Sequence, residues 1–210
     1  MCLIAIKIIK IKNFNLSSKN PLFVAEISGN HAGDKKLLKK TIYSAIAAGS
    51  NAIKLQTYTP EDLTVNSKKK DFLIHGSKNK WDKKYLFEIY EKGQTPINWY
   101  NEALKICKKK RVICFSSPFS IDSVIALQKL KCPVYKVASL EITNFPLLKE
   151  IAKTKKPVII STGGATLDEI KKAVKIFKNN RNIALLKCTV NYPANLKDSN
   201  LLTILDLKQR

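Results

Sequence analysis

Arginine is scarce in this 210-residue chain: among 38 basic residues only Arg111, Arg181 and Arg210 are arginines. Base edges and phosphodiesters are best read by the planar guanidinium fork, so the formal charge of +22 does not by itself point to nucleic acid. The lysines are scattered through every candidate helix rather than gathered into one arm, and Ile and Asn are abundant beside them. That is compositional bias on solvated faces, and no nucleic-acid partner is expected, although a basic funnel for a small anion remains compatible. Paired cysteine spacing is lacking as well. Cys2, Cys107, Cys114, Cys132 and Cys188 form no zinc knuckle or redox pair, and an odd set of thiols fits a reducing cytoplasm. The two histidines, His31 and His75, lie in different segments without a second ligand at useful spacing, so no metal ligand is assigned. No apolar run is long enough to span a bilayer. The N-terminal stretch MCLIAIKIIKIKNF is broken by Lys7, Lys10 and Lys12 and lacks a small-x-small cleavage site, so it reads as a hairpin over 1–21 ahead of the main fold rather than a leader. A cytoplasmic protein with no membrane partner is expected.

What the chain does have is rhythm. Apolar, β-prone runs recur at 22–27, 52–58, 112–117, 133–139, 157–163 and 183–189, separated by segments of helical periodicity. Asp34 starts one helix that closes at Gly49, Thr95-Pro96 reads as an N-cap with proline at the first helical position, and Thr166-Leu-Asp-Glu169 reads as a capping box. Six βα repeats without polar alternation in the strands belong to an α/β fold with a covered parallel sheet. The first turn, SGNHAG, is not the GxGxxG of a dinucleotide-binding sheet. Polar residues instead stand at the C-terminal end of almost every strand: Glu26, Lys54 and Gln56, Ser116 and Ser117, Lys136 and Ser139, Ser161 and Thr162, Lys187 and Thr189. That placement predicts a (β/α)8 barrel with its site on the C-terminal rim. The long stretch 59–94 predicts a lid or inserted hairpin.

Lys54 and Lys136 lie inside strand-like runs. Two inward ammonium groups with Ser117, Ser139 and Thr162 nearby call for a phosphate or carboxylate; each alone could also snorkel from a strand end. Glu141, two residues past Ser139, suits proton relay or, equally, a salt bridge to a rim lysine. Trp81 and Trp99 read as packing residues.

The ordered segments AEISGNHAGD, AIKLQTYTPEDLT, WDKKYLFEIYE, CFSSPF, YKVAS, KPVIISTGGAT and KCTVNYP resemble the N-terminal part of the sialic acid synthase family, enzymes that condense phosphoenolpyruvate with an N-acetylated sugar. Within it they are most similar to the pseudaminic acid synthase branch; Val190 stands where the neuraminate branch typically has asparagine. The resemblance implies that Lys54, Gln56, Ser117, Lys136 and Ser139 hold phosphoenolpyruvate, that Glu141 is the general acid/base at the sugar aldehyde, that Glu26 with Gln56 stands near the reacting carbons, and that Tyr192 and Asn191 contact the sugar. It implies a 2,4-diacetamido-trideoxy hexose as the acceptor, with N-acetylneuraminate or legionaminate synthesis as the alternative. It also implies a divalent metal, Mn2+ or Mg2+, held in the complete enzyme by two histidines on two further βα units, a C-terminal antifreeze-like domain, and a homodimer. Neither those units nor that domain is found in the sequence. The expectation is therefore a TIM-type (β/α)8 barrel truncated after about six βα units, over 22–210, inactive alone, with an inactive fragment or binding module as the reading from another class.

Overall fold

The computed structural model describes residues 3–4, 9–17, 19–76, 81–180, 182–191 and 193–209. The chain divides into two compact units, one made of residues 23–130 and the other of residues 1–22 with 131–210.

In the N-terminal segment, β1 is Leu3–Ile4, β2 Ile9–Ile11 and β3 Phe14–Leu16. β2 and β3 form an antiparallel hairpin with Ile9 opposite Leu16. Ile9, Ile11 and Leu16 are buried while Lys10 and Asn15 face outward, the period-two pattern of a strand with one covered face. The expected hairpin is formed.

Residues 23–130 hold three parallel strands, β4 (Val24–Glu26), β5 (Ala52–Thr57) and β6 (Ile113–Pro118), in that spatial order. Glu26 is registered on Lys54, Lys54 on Phe115 and Gln56 on Ser117. Helix α1 (Lys35–Ala47) follows β4. The Asp34 carboxylate accepts from the amides of Lys36 and Leu37, Leu38 and Ile42 form its buried stripe, and Gly49 at φ 92° ends it. Between β5 and β6 lie α2 (Pro60–Leu63), α3 (Leu86–Gly93) and α4 (Ile97–Lys109), and α5 (Ile121–Lys129) follows β6. The expected insertion is a single antiparallel bridge, Leu73 to Tyr85, leading into α3; residues 77–80 lie outside the described ones. α4 begins one residue later than its sequence predicts, with Pro96 as N-cap, because the Thr95 hydroxyl is bonded to His31 and is not available to cap.

Residues 131–210 hold β7 (Tyr135–Val137), α6 (Phe145–Lys153), β8 (Val158–Ser161), α7 (Leu167–Ile176), β9 (Ile183–Leu186) and α8 (Thr203–Gln209). β7, β8 and β9 are parallel, with β1 antiparallel on β9. Asn144 caps α6 by accepting from the Leu147 amide, and the expected Thr166–Glu169 capping box opens α7. β7 and β8 are buried along their whole length, as strands covered on both faces must be. The expected α/β class, strand followed by helix six times, is what the chain forms. Among the described residues no helix is long and apolar enough to cross a membrane.

Candidate functional site

In the unit of residues 23–130, the polar residues gather where the three strands end. Lys54, 8% exposed, sits in a strand whose other residues are nearly all buried. A buried ammonium needs partners, and Lys54 has two: it forms an ion pair with the Glu26 carboxylate across the β4–β5 register and donates to Ser117 Oγ at 3.3 Å. Glu26 Oε1 accepts from the Ser28 amide at 3.1 Å and the Ser28 hydroxyl at 2.9 Å. These two bonds hold Ser28 at φ 47°, a left-handed conformation that a non-glycine residue adopts at a cost. Gln56 lies two residues beyond Lys54 and is half-buried. Thr57 and Ser116 bond each other at 2.8 Å.

The loop after β4 is fixed by His31. Its ring is fully buried; Nδ1 accepts from the Gly33 amide at 3.1 Å, so Nε2 carries the proton and donates to Thr95 Oγ1 at 3.0 Å. Burial lowers its pKa, keeping the ring neutral, and Trp99 meets it edge-on at 5.6 Å. Trp99 is thus a packing residue. Gly29 lies so close to the end of α3 that a Cβ would stand 2.9 Å from Gly93 Cα. Tyr58, just past β5, packs edge-on against Tyr90 of α3 and Phe119 after β6, and desolvation pushes its phenol up to about 12. The insertion is therefore seated on the same ends of β4, β5 and β6 that carry Glu26, Lys54 and Ser117.

In the unit of residues 131–210, Lys136 is 5% exposed and donates to Ser161 Oγ at 2.6 Å and to the Val137 carbonyl at 2.7 Å. Cys188 Sγ donates to the same Ser161 oxygen at 3.1 Å. Ser139 and Glu141 stand on a single 3-10 turn directly past β7. Ser139 Oγ accepts from the Gly163 amide at 3.2 Å, and Glu141 Oε2 accepts from Asn144 Nδ2 at 2.8 Å. Gly163 lies where three loops meet: a Cβ there would be 2.9 Å from Val190 Cγ1, 3.0 Å from Ser139 Oγ and 3.1 Å from the Cys188 carbonyl. Asn191 is exposed on the loop after β9, and Tyr192 lies outside the described residues. Lys187, past β9, reaches Thr189 Oγ1 and the Asp198 carbonyl at 3.3 and 3.4 Å.

The two lysines share one geometry. Lys54 is registered on Phe115 and bonds Ser117, two residues further along that strand; Lys136 is registered on Ile159 and bonds Ser161, again two residues further. Sequence reading grouped Lys54 with Ser117 but missed the Glu26 ion pair, the Ser161 and Cys188 partnership with Lys136, and the His31 latch. The two-residue offset is a signal only once the strands are aligned. Each cluster offers a buried ammonium and a serine hydroxyl, groups that together bind an oxyanion.

The family model described as NeuB family matches residues 41–210. A pseudaminic acid synthase of Campylobacter jejuni is 43% identical over 203 residues, 96% of this chain and 58% of that protein. One from Helicobacter pylori is 42% identical over 189 residues, 89% of this chain and 55% of that protein. The chain thus spans little more than half the length of these relatives. Among solved structures, an N-acetylneuraminic acid synthetase from Leptospira borgpetersenii in complex with citrate is similar at a TM-score of 0.84 and 30% identity, over 97% of this chain and 66% of that one.

Proposed function

The chain belongs to the NeuB family, and from that premise we propose that it serves a pseudaminic acid synthase reaction: condensation of phosphoenolpyruvate with a 2,4-diacetamido-trideoxy hexose to give a nonulosonic acid and phosphate. The observation that carries this reading is the pair of buried lysines, each bonded to a serine at the same strand offset. The names borne by relatives of 42 and 43% identity support the choice of sugar.

In the proposed chemistry, Lys54, Gln56 and Ser117 are phosphoenolpyruvate contacts of one unit, and Lys136 and Ser139 are phosphoenolpyruvate contacts of the other. Lys54 is already bonded to Glu26, so the incoming anion shares its ammonium with a carboxylate that Ser28 holds back through two hydrogen bonds. Carbon 3 of the enol then forms a bond to the open-chain aldehyde carbon, and the aldehyde oxygen takes a proton from Glu141, fixed in place by Asn144. Water adds to carbon 2, losing a proton to a base, for which Glu26 is the proposed group. The hemiketal phosphate collapses with loss of phosphate and leaves the 2-keto acid. Asn191 and Tyr192 are proposed as sugar contacts. For the Mn2+ or Mg2+ that the resemblance implies, the described residues contain no group of three or more His, Cys, Asp or Glu able to hold an ion. They do not fit such a site.

The test is titration calorimetry of the protein with phosphoenolpyruvate, followed, after the C-terminal part of a full-length relative has been added in trans, by phosphate release with each candidate sugar in the presence of manganese. Binding of phosphoenolpyruvate and a preference for the diacetamido sugar is the expected result. A preference for N-acetylmannosamine would replace the reading by neuraminate synthesis, and absence of phosphoenolpyruvate binding would overturn it.

A further inference from the structure

Leu140 stands between Ser139 and Glu141 on the turn that ends β7, and it is 82% exposed. Its neighbours are both engaged: Ser139 with the Gly163 amide and Glu141 with Asn144. A one-turn segment whose two polar side chains are committed inward presents its middle residue outward, here a leucine with no apolar cover. An isolated exposed leucine is ordinary on a surface. Its place is not, because it is the chain neighbour of both the proposed phosphoenolpyruvate contact and the proposed acid at the aldehyde, on one 3-10 turn.

We propose that Leu140 is a sugar-specificity residue, covered on binding by the apolar part of a diacetamido-trideoxy hexose. This rests on the function proposed above and names the part of the acceptor that the turn reads. Such a sugar has two acetamido methyls and three carbons without hydroxyl, whereas N-acetylmannosamine has one acetamido group and more hydroxyls. A leucine gains by covering methyls and loses by stripping water from hydroxyls that it cannot bond. The direction of discrimination follows from chemistry and not from shape alone.

The experiment uses the 210-residue chain with phosphoenolpyruvate and with sugar alditols, which lack the aldehyde and so bind without reacting. Affinities of the wild type, Leu140→Asn and Leu140→Met are measured by calorimetry for phosphoenolpyruvate, for the alditol of the 2,4-diacetamido-trideoxy hexose and for N-acetylmannosaminitol. Leu140→Asn should weaken the diacetamido alditol about tenfold, about 1.4 kcal/mol, which is at most the value of burying a leucine side chain. Leu140→Met should keep most of the affinity, and both variants should bind phosphoenolpyruvate and N-acetylmannosaminitol within about twofold of the wild type. Equal losses for the two alditols, no loss for either, or a wild type that binds phosphoenolpyruvate but neither alditol would each overturn the assignment of Leu140. A wild type that fails to bind phosphoenolpyruvate overturns the underlying function instead, and the assignment with it. Because the side chain is exposed, both variants should keep the wild-type melting temperature.

Discussion

Replacing Lys54 by Met separates the ligand role of this residue from its structural one. The substitution keeps an unbranched side chain of similar length in β5 and removes the ammonium. Three groups lose a partner: the Glu26 carboxylate, Ser117 Oγ and, on the proposed function, phosphoenolpyruvate. The Glu26 side chain is 38% exposed and keeps both bonds from Ser28, so water replaces the ammonium at little cost. A pair with one exposed partner contributes about 0–1 kcal/mol, and the buried Ser117 hydroxyl, left without this donor, costs about 1 kcal/mol more. At roughly 2–4 °C per kcal/mol for a chain of this size, the melting temperature should fall by no more than about 8 °C. The ligand has no such recourse. A hydrogen bond to a charged group is worth about 1.5–3 kcal/mol, so the dissociation constant for phosphoenolpyruvate should rise roughly 10- to 140-fold. Calorimetry at 25 °C, with differential scanning fluorimetry on the same samples, reads both quantities. Unchanged affinity in a folded variant would refute the anion assignment, and a melting temperature lowered by ten degrees or more would show that the ion pair is structural in a way its exposure does not predict.

Gly163→Ala should press a methyl against Val190, Ser139 and the Cys188 carbonyl, costing about 1–3 kcal/mol in chemical denaturation and weakening phosphoenolpyruvate through the displaced Ser139; a variant as stable as wild type would show that the loops yield. Glu141→Gln should leave phosphoenolpyruvate affinity unchanged and, with the C-terminal part of a full-length relative supplied in trans, lower phosphate release about a hundredfold or more; retained turnover would remove Glu141 from the proton transfer. His31 predicts a pH dependence. Its folded pKa lies below the free value of 6.5, so below that pH the unfolded chain takes up a proton that the folded ring resists, and stability falls as pH falls. The drop in melting temperature between about pH 7.5 and pH 5.5 should shrink in His31→Asn, and an equal drop in both proteins would show that His31 contributes none of it.

The parts legible in the sequence were those written in neighbouring residues. The Asp34 cap, the Thr166–Glu169 box and the hairpin of alternating Ile and Lys are local patterns, and each forms as read. Sequence pattern overstates strand length: PVYKVAS yields only Tyr135–Val137, because the chain turns into a 3-10 segment at Ser139 that no propensity distinguishes from a strand end. Thr95 failed as a cap for a different reason, since its hydroxyl is claimed by a histidine 64 residues away. The cross-strand partnerships were hidden for the same cause. Ser117 lies 63 residues from Lys54 and Ser161 lies 25 from Lys136, and these unequal spacings become one shared offset only after pairing has set the register.

That shared offset divides the gene into stretches that tolerate changes of length and stretches that do not. Between Lys54 and Ser117 the chain can gain or lose loop residues at small entropic cost, as the 59–94 insertion itself illustrates. Inside β5, β6, β7 or β8 the addition or deletion of one residue turns every later side chain of that strand to the opposite face of the sheet. A change ahead of Lys54 in β5 or of Lys136 in β7 would turn that lysine away from its serine, and one ahead of Ser117 in β6 or of Ser161 in β8 would turn the serine away from the lysine. Length variation compatible with the proposed anion binding is thus confined to the loops, and a single-codon deletion at residue 52, 53 or 135, ahead of these lysines in their strands, should abolish it, however conservative the remaining sequence.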